Sequence, residues 1–316
     1  PTQGYTVYAV YGNTSAPGSV VGPFFDEFSG FRGPAGLHDT FNHSAFGNGD
    51  CLACYGSTDA GRIGNLDAAV TDNVALDLAR AFDGHLTCMK SIQWEMGAVV
   101  DFYGLMAAQI IEATREQADA LHRRLEARLA KEDVAWNWIQ SDGFASQQLM
   151  RRSGLSDIIV LGSCDPLKNE GPSKLVGEIV LRSQTPVLVV PPGVTRFDCS
   201  GPAIVAWDGS PEASRALRSA LPPLAKAGSV SLVTVVGEEE ANRFDLPPVQ
   251  GAEYLSRHGI ACELIDLPYR AESIAKAVMA AAADQQASYL VMGAYGRSRL
   301  SETIWGGVSR EIFSDP

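Results

Sequence analysis

The chain has 316 residues, 46% of them apolar and 20% charged, with 25 Lys and Arg against 37 Asp and Glu and a formal charge of −12. That length holds two domains of ordinary size, each with its own core, and the acidic balance excludes a nucleic-acid surface, which needs clustered basic side chains to release counterions. No apolar run approaches the roughly 20 residues that span a bilayer, and the amino end lacks a basic region followed by an apolar one. The sequence therefore reads as a soluble, cytoplasmic protein without a membrane partner.

Residues 1–48 differ in composition from the rest. They are rich in Gly, Phe, Tyr, Ser and Asn and contain no Lys. Val7-Tyr8-Ala9-Val10-Tyr11 has the make-up of a strand, and Phe24, Phe25, Phe28 and Phe31 form a short stripe at helical spacing. No sustained period follows, and the chain begins with Pro1 rather than Met. The stretch is expected to be an N-terminal extension, disordered or non-native, on a fragment of a longer protein.

From residue 49 to 192 an α/β alternation can be followed. Asp50 to Ser57 is read as the first strand. Leu66 to Phe82 has the spacing of an amphipathic helix, stopped by Gly84. His85–Ile92 is a strand, Ala107–Lys131 a long helix with Leu121, Leu125 and Leu129 on one face, and Val134–Ile139 a strand. The strand's Trp136 and Trp138 lie two apart, so they share a face and are assigned to packing. Phe144–Ser153 is a helix, Asp157–Gly162 a buried strand, Leu175–Arg182 a helix and Val187–Val190 a strand, with Pro191-Pro192-Gly193 marking a linker.

The second unit, 201–316, repeats the pattern. Ala203–Trp207 is a strand ending in Asp208-Gly209-Ser210-Pro211, in which Ser210 caps the helix that Pro211 opens. That helix runs towards Ala227 and is broken by Pro222-Pro223. Val230–Val236 is a strand, Val249–Arg257 a helix, Ala261–Leu267 a strand and Glu272–Gln285 an alanine-rich helix. Tyr289 to Met292 then reads as a fully buried parallel strand. It ends at Gly293, with Gly296 next, Gly306-Gly307 after a further stretch, and a helix start at Val308-Ser309. Glycines between a buried strand and a helix let the backbone approach a ligand, and free amides at a helix start favour an anion. These residues are read as a phosphate cradle.

The repeat is visible in detail, Ile158-Ile159-Val160-Leu161-Gly162 returning as Tyr289-Leu290-Val291-Met292-Gly293. Such βα units imply parallel sheets, right-handed crossovers and a ligand crevice beyond the carboxyl ends of the strands.

The spacing Gly293-x2-Gly296-x9-Gly306 resembles the nucleotide motif of the universal stress protein family, in which the last glycine is followed by Ser or Thr. Here Gly307 takes that place and Ser309 lies two residues later. The resemblance covers about residues 50–316 and is strongest from Ala203 onward. It implies an α/β fold of two Rossmann-like units in tandem, of the adenine nucleotide alpha hydrolase-like kind. The first is degenerate, with Tyr55 in place of the acidic residue, and the second lacks its last strand. The resemblance further implies that Asp208 faces an adenosine, that Val235 and Val236 line the adenine, and that Gly293, Gly296, Gly306, Gly307, Val308 and Ser309 meet the phosphates. Asp208 can equally be a turn carboxylate. The implied cofactor is ATP or AMP with its accompanying Mg, and the implied partner a second copy or an intrachain pseudo-dimer.

Catalytic signatures are missing from the sequence. There is no Gly-x-Ser-x-Gly elbow, Walker lysine or helical His pair. Cys51 and Cys54 lack a second ligand pair, so no metal or redox role is assigned. His85, His122 and His258 stand alone, Glu238-Glu239-Glu240 is a solvated charge run, and Arg297 and Arg299 are either phosphate ligands or surface charge. The expectation is a bacterial stress-response protein that senses an adenine nucleotide, with at most weak ATPase activity. A stress protein working through oligomerisation without nucleotide is the alternative, and an adenylating enzyme ranks below both.

Overall fold

The structure is a computed structural model that describes residues 6–11, 73–92, 105–163, 174–191, 194, 196–236, 246–268, 273–294, 308 and 312. The chain divides into two compact units, Pro1–Arg196 and Phe197–Pro316. The division falls just past the expected Pro-Pro-Gly linker.

Unit one contains strands β1 (Thr6–Tyr11), β2 (His85–Ile92), β3 (Ala135–Asp142), β4 (Ile158–Gly162) and β5 (Val187–Val190), all parallel in the order β3-β2-β1-β4-β5. Helix α1 runs through 73–81, and α2 (Leu105–Leu129), α3 (Ala145–Arg152) and α4 (Lys174–Arg182) follow. The apolar stripe of α2 faces inward, with Leu121, Leu125 and Leu129 buried. Trp138 stacks on His122 of that helix with ring centroids 5.0 Å apart, which is the packing role expected of it.

One difference from the sequence reading concerns where this unit begins. Thr6–Tyr11, assigned above to an extension, is the middle strand of the sheet and pairs with β2 on one side and β4 on the other. Among the described residues the next element begins at position 73, and the sequence between showed no alternation of strand and helix leading from these six residues. The proposed first strand at Asp50–Ser57 lies outside the described residues. Because Val7 pairs with both Leu86 and Ile158 while Ala203 pairs with both Val230 and Tyr289, the two units can be superposed by register. The counterpart of Asp208 in unit one, and Tyr55, lie outside the described residues.

Unit two contains β6 (Pro202–Ala206), β7 (Ser229–Val236), β8 (Glu263–Pro268) and β9 (Tyr289–Val291), parallel in the order β8-β7-β6-β9. Among the described residues this is the order of unit one without a counterpart of β5. Successive residues of β6 supply opposite faces: Ala203 and Val205 join Leu232, Leu217 and Leu255 in one core, and Ile204 joins Val233 and Ala281 in the other. Helix α5 (Pro211–Ser219) stops before the two prolines, and a short α6 (Leu221–Leu224) carries them. Helices α7 (Pro248–Arg257) and α8 (Ile274–Asp284) complete the described part, with Val308 and Ile312 helical beyond it.

A second difference is the burial of β9. All three of its residues are half-buried, whereas β4, which lies between two strands, is buried from Ile159 to Gly162. An apolar run fixes that a strand packs on something, but burial of its outer edge requires a neighbour. Among the described residues, no helix is long and apolar enough to cross a membrane.

The central place of β1 carries a test. A chain beginning at residue 49 lacks two strand ladders and is expected to lose the cooperative unfolding transition of unit one, followed by urea denaturation. An unchanged two-transition profile would contradict the topology.

Candidate functional site

The parallel sheet of unit two ends, at its carboxyl edge, in three adjacent exits. Counting on from Ala206↔Val233 and Val205↔Val291 sets Asp208 level with Val235, and Gly293 level with Trp207. The Trp207 amide donates to Val233 O at 2.8 Å, carrying the β6–β7 pairing one residue past the strand. Of the residues 207–210, only Asp208 is exposed; Trp207, Gly209 and Ser210 are buried.

That turn is built by short-range polar contacts. Ser210 N donates to Asp208 Oδ1 at 3.0 Å, and Ala213 N donates to Ser210 Oγ at 3.1 Å. The first contact is an Asx turn and the second a helix cap. Pro211 fills the first helical position, where a missing amide costs nothing. Both readings of Asp208 from sequence thus meet in one side chain. Oδ1 serves the turn, while among the described residues no donor is bonded to Oδ2. A carboxylate held by one oxygen and exposed by the other is suited to accept from a ligand hydroxyl or amino group.

Glycine at 209 is required twice. Its φ of +71° is left-handed, and a Cβ there would lie 2.5 Å from Leu246 O. Glycine at 293 is required by packing: a Cβ would lie 2.6 Å from Ala213 N and 2.7 Å from the carbonyl carbon of Glu212. The exit of β9 therefore lies on the first turn of α5, as happens where a strand and a helix pack closely.

Of the other expected site residues, Val235 is buried at the carboxyl end of β7, Val236 pairs with Pro268 of β8, and Val308 is half-buried in a helical position. Gly296, Gly306, Gly307 and Ser309 lie outside the described residues, as do Arg297 and Arg299. Spacing missed Trp207 and Leu246, whose contact spans 39 residues: Trp207 Nε1 donates to Leu246 O at 3.0 Å. Beside them lies Thr234, buried on β7, whose hydroxyl donates to the Asp266 carboxylate. Register sets Lys90, itself buried, at the matching place in unit one.

The displaced titrations lie at the opposite, amino edge. Hydrogen bonds from the side chain and backbone of Ser200 hold the exposed Asp198 carboxyl below its usual range. Burial raises the thiols of Cys199 and Cys262. Burial, reinforced by Cys199 and Asp198, also raises the Tyr289 phenol. Among the described residues, no group of three or more His, Cys, Asp or Glu is placed to hold a metal ion.

Residues 201–314 match the family model described as the Universal stress protein family. A universal stress protein from Archaeoglobus fulgidus DSM 4304 is similar at 17% identity and TM-score 0.59, over 79% of this chain and 89% of that one. A protein of the universal stress protein family from Burkholderia pseudomallei is 27% identical, over 30% of this chain and 83% of that one, at TM-score 0.25. No curated protein matches.

Gly293→Ala is expected to destabilise unit two by about 1–3 kcal/mol through overpacking against backbone, whether or not nucleotide is present. Urea denaturation reads this directly, and wild-type stability in the variant would contradict the contact.

Proposed function

We propose that this chain, whose residues 201–314 form a domain of the universal stress protein family, binds an adenine nucleotide at the carboxyl edge of its second sheet and acts in the stress response as a nucleotide sensor. The observation that carries the reading is the Asp208 turn, one exposed carboxylate among buried neighbours, level with Val235 at the crevice where parallel sheets take ligands. Asp208 Oδ2 accepts from the nucleoside, and the end of β7 at Val235 and Val236 borders the base. The phosphates, of ATP or AMP with accompanying Mg, fall to Gly293, Gly296, Gly306, Gly307, Val308 and Ser309 on sequence spacing. No general base is assigned, so turnover is at most slow and binding is the function. The setting is cytoplasmic, as a homo-oligomer or an intrachain pseudo-dimer.

A second reading has its own support. Gly293 is explained by helix packing alone, and Gly307 replaces the hydroxyl residue of the motif. A domain keeping the fold without the ligand, and working through oligomer and partner contacts, accounts for both.

Calorimetry separates the two. Asp208→Asn keeps the turn's acceptor oxygen and removes the charge, so it is expected to weaken ATP or AMP binding about tenfold to a hundredfold, as for a lost hydrogen bond to a charged group. Gly307→Ser is expected to strengthen it about twofold to tenfold, as for one added hydrogen bond. Absence of binding in the wild type supports the second reading, and unchanged affinity in Asp208→Asn removes Asp208 from the site.

A further inference from the structure

The residues on both sides of Asp208 are tied to the same distant main chain. Before it, the buried Trp207 indole donates Nε1–H to Leu246 O at 3.0 Å. After it, Gly209 lies so close to Leu246 that a Cβ would be 2.5 Å from its O, 2.9 Å from its N and 3.2 Å from its carbonyl carbon. Helix α7, which begins at Pro248, is seated by the same ring: a Cβ on Gly251 would lie 3.4 Å from Trp207 Cε2 and 2.9 Å from a Leu232 methyl. A glycine inside a helix weakens it, so its presence here marks the close approach of that helix to the ring. The chain at 246–251 thus closes over the turn that displays Asp208, and Trp207 is the side chain that meets it at both Leu246 and Gly251.

We infer that Trp207 is a positioning residue for the candidate site, which rests on the proposed reading of Asp208 as a ligand acceptor. The indole does not touch the ligand. It locks the Leu246 main chain across the turn, which fixes the direction of the Asp208 carboxylate and couples that carboxylate to the connection between β7 and α7. Two consequences distinguish this from packing alone. Occupation of the site shifts the Trp207 Nε1–H signal, because the bond to Leu246 O adjusts when Asp208 is engaged. Loss of the donor with the aromatic bulk retained weakens binding in a protein that is still folded.

The experiment uses the full chain and ATP, with affinity by calorimetry and the indole N–H signals by nitrogen-edited NMR. Trp207→Phe identifies the Trp207 signal by its disappearance and is expected to bind ATP roughly tenfold more weakly, as for one lost buried hydrogen bond, at a temperature where its circular dichroism matches wild type. In wild type that signal is expected to move with the same midpoint as the calorimetric titration, and in Asp208→Asn to move only at about tenfold or more higher ATP. If the variant folds poorly, the wild-type titration of the indole signal decides alone. Wild-type binding with a stationary indole signal, or with equal affinity in folded Trp207→Phe, overturns the positioning role while the binding reading stands. No binding by wild type overturns the binding reading and the inference with it.

Discussion

The carboxyl edge of the second unit depends on two places where main chain lies on main chain with no side chain between. Gly293 brings the exit of β9 onto the first turn of α5, and Gly209 brings the turn after β6 onto Leu246. A parallel sheet sets its strand ends side by side, but their spacing to the covering helices is fixed by such contacts. With both in place, the segment 207–210 has one choice of path, and that path buries everything except the Asp208 side chain. The Ser210 cap and Pro211 then start α5 without borrowing an acceptor from elsewhere.

Register makes the two units comparable and shows them to be unequal. Where unit two has Thr234 bonded to Asp266, unit one has the buried Lys90 opposite Gln140. The turn leaving β3 also closes on the end of β2, Gly143 N donating to Ile92 O at 2.9 Å and Ser91 Oγ to Gly143 O at 2.5 Å. Ile92 stands at the register position of Val236.

Much of the architecture was legible in the sequence because each strand is a short apolar run bounded by turn residues. His85–Ile92 and Val187–Val190 match to the residue, and the break at Pro222-Pro223 follows from a missing amide. Strand β1 was not placed because nothing local distinguishes a central strand from an isolated one; its role comes from partners at Leu86 and Ile158, far along the chain. The burial of β9 was overestimated for the same reason. At the site, Asp-Gly-Ser-Pro announced a turn and cap through local chemistry alone. A glycine spacing records that a side chain is forbidden without saying what forbids it, and at Gly293 the close approach of α5 was not legible. The Trp207–Leu246 bond joins residues 39 apart and has no sequence signal.

Native mass spectrometry of the full chain with ATP tests the central claim most directly, because it counts ligands rather than inferring them. Assignment of the site to the second unit predicts one nucleotide per chain, and an occupancy lowered about tenfold or more at sub-saturating ATP in Asp208→Asn. Two nucleotides per chain, or unchanged occupancy when Asp208 is replaced, would contradict that assignment; none in the wild type would leave the fold as scaffold only.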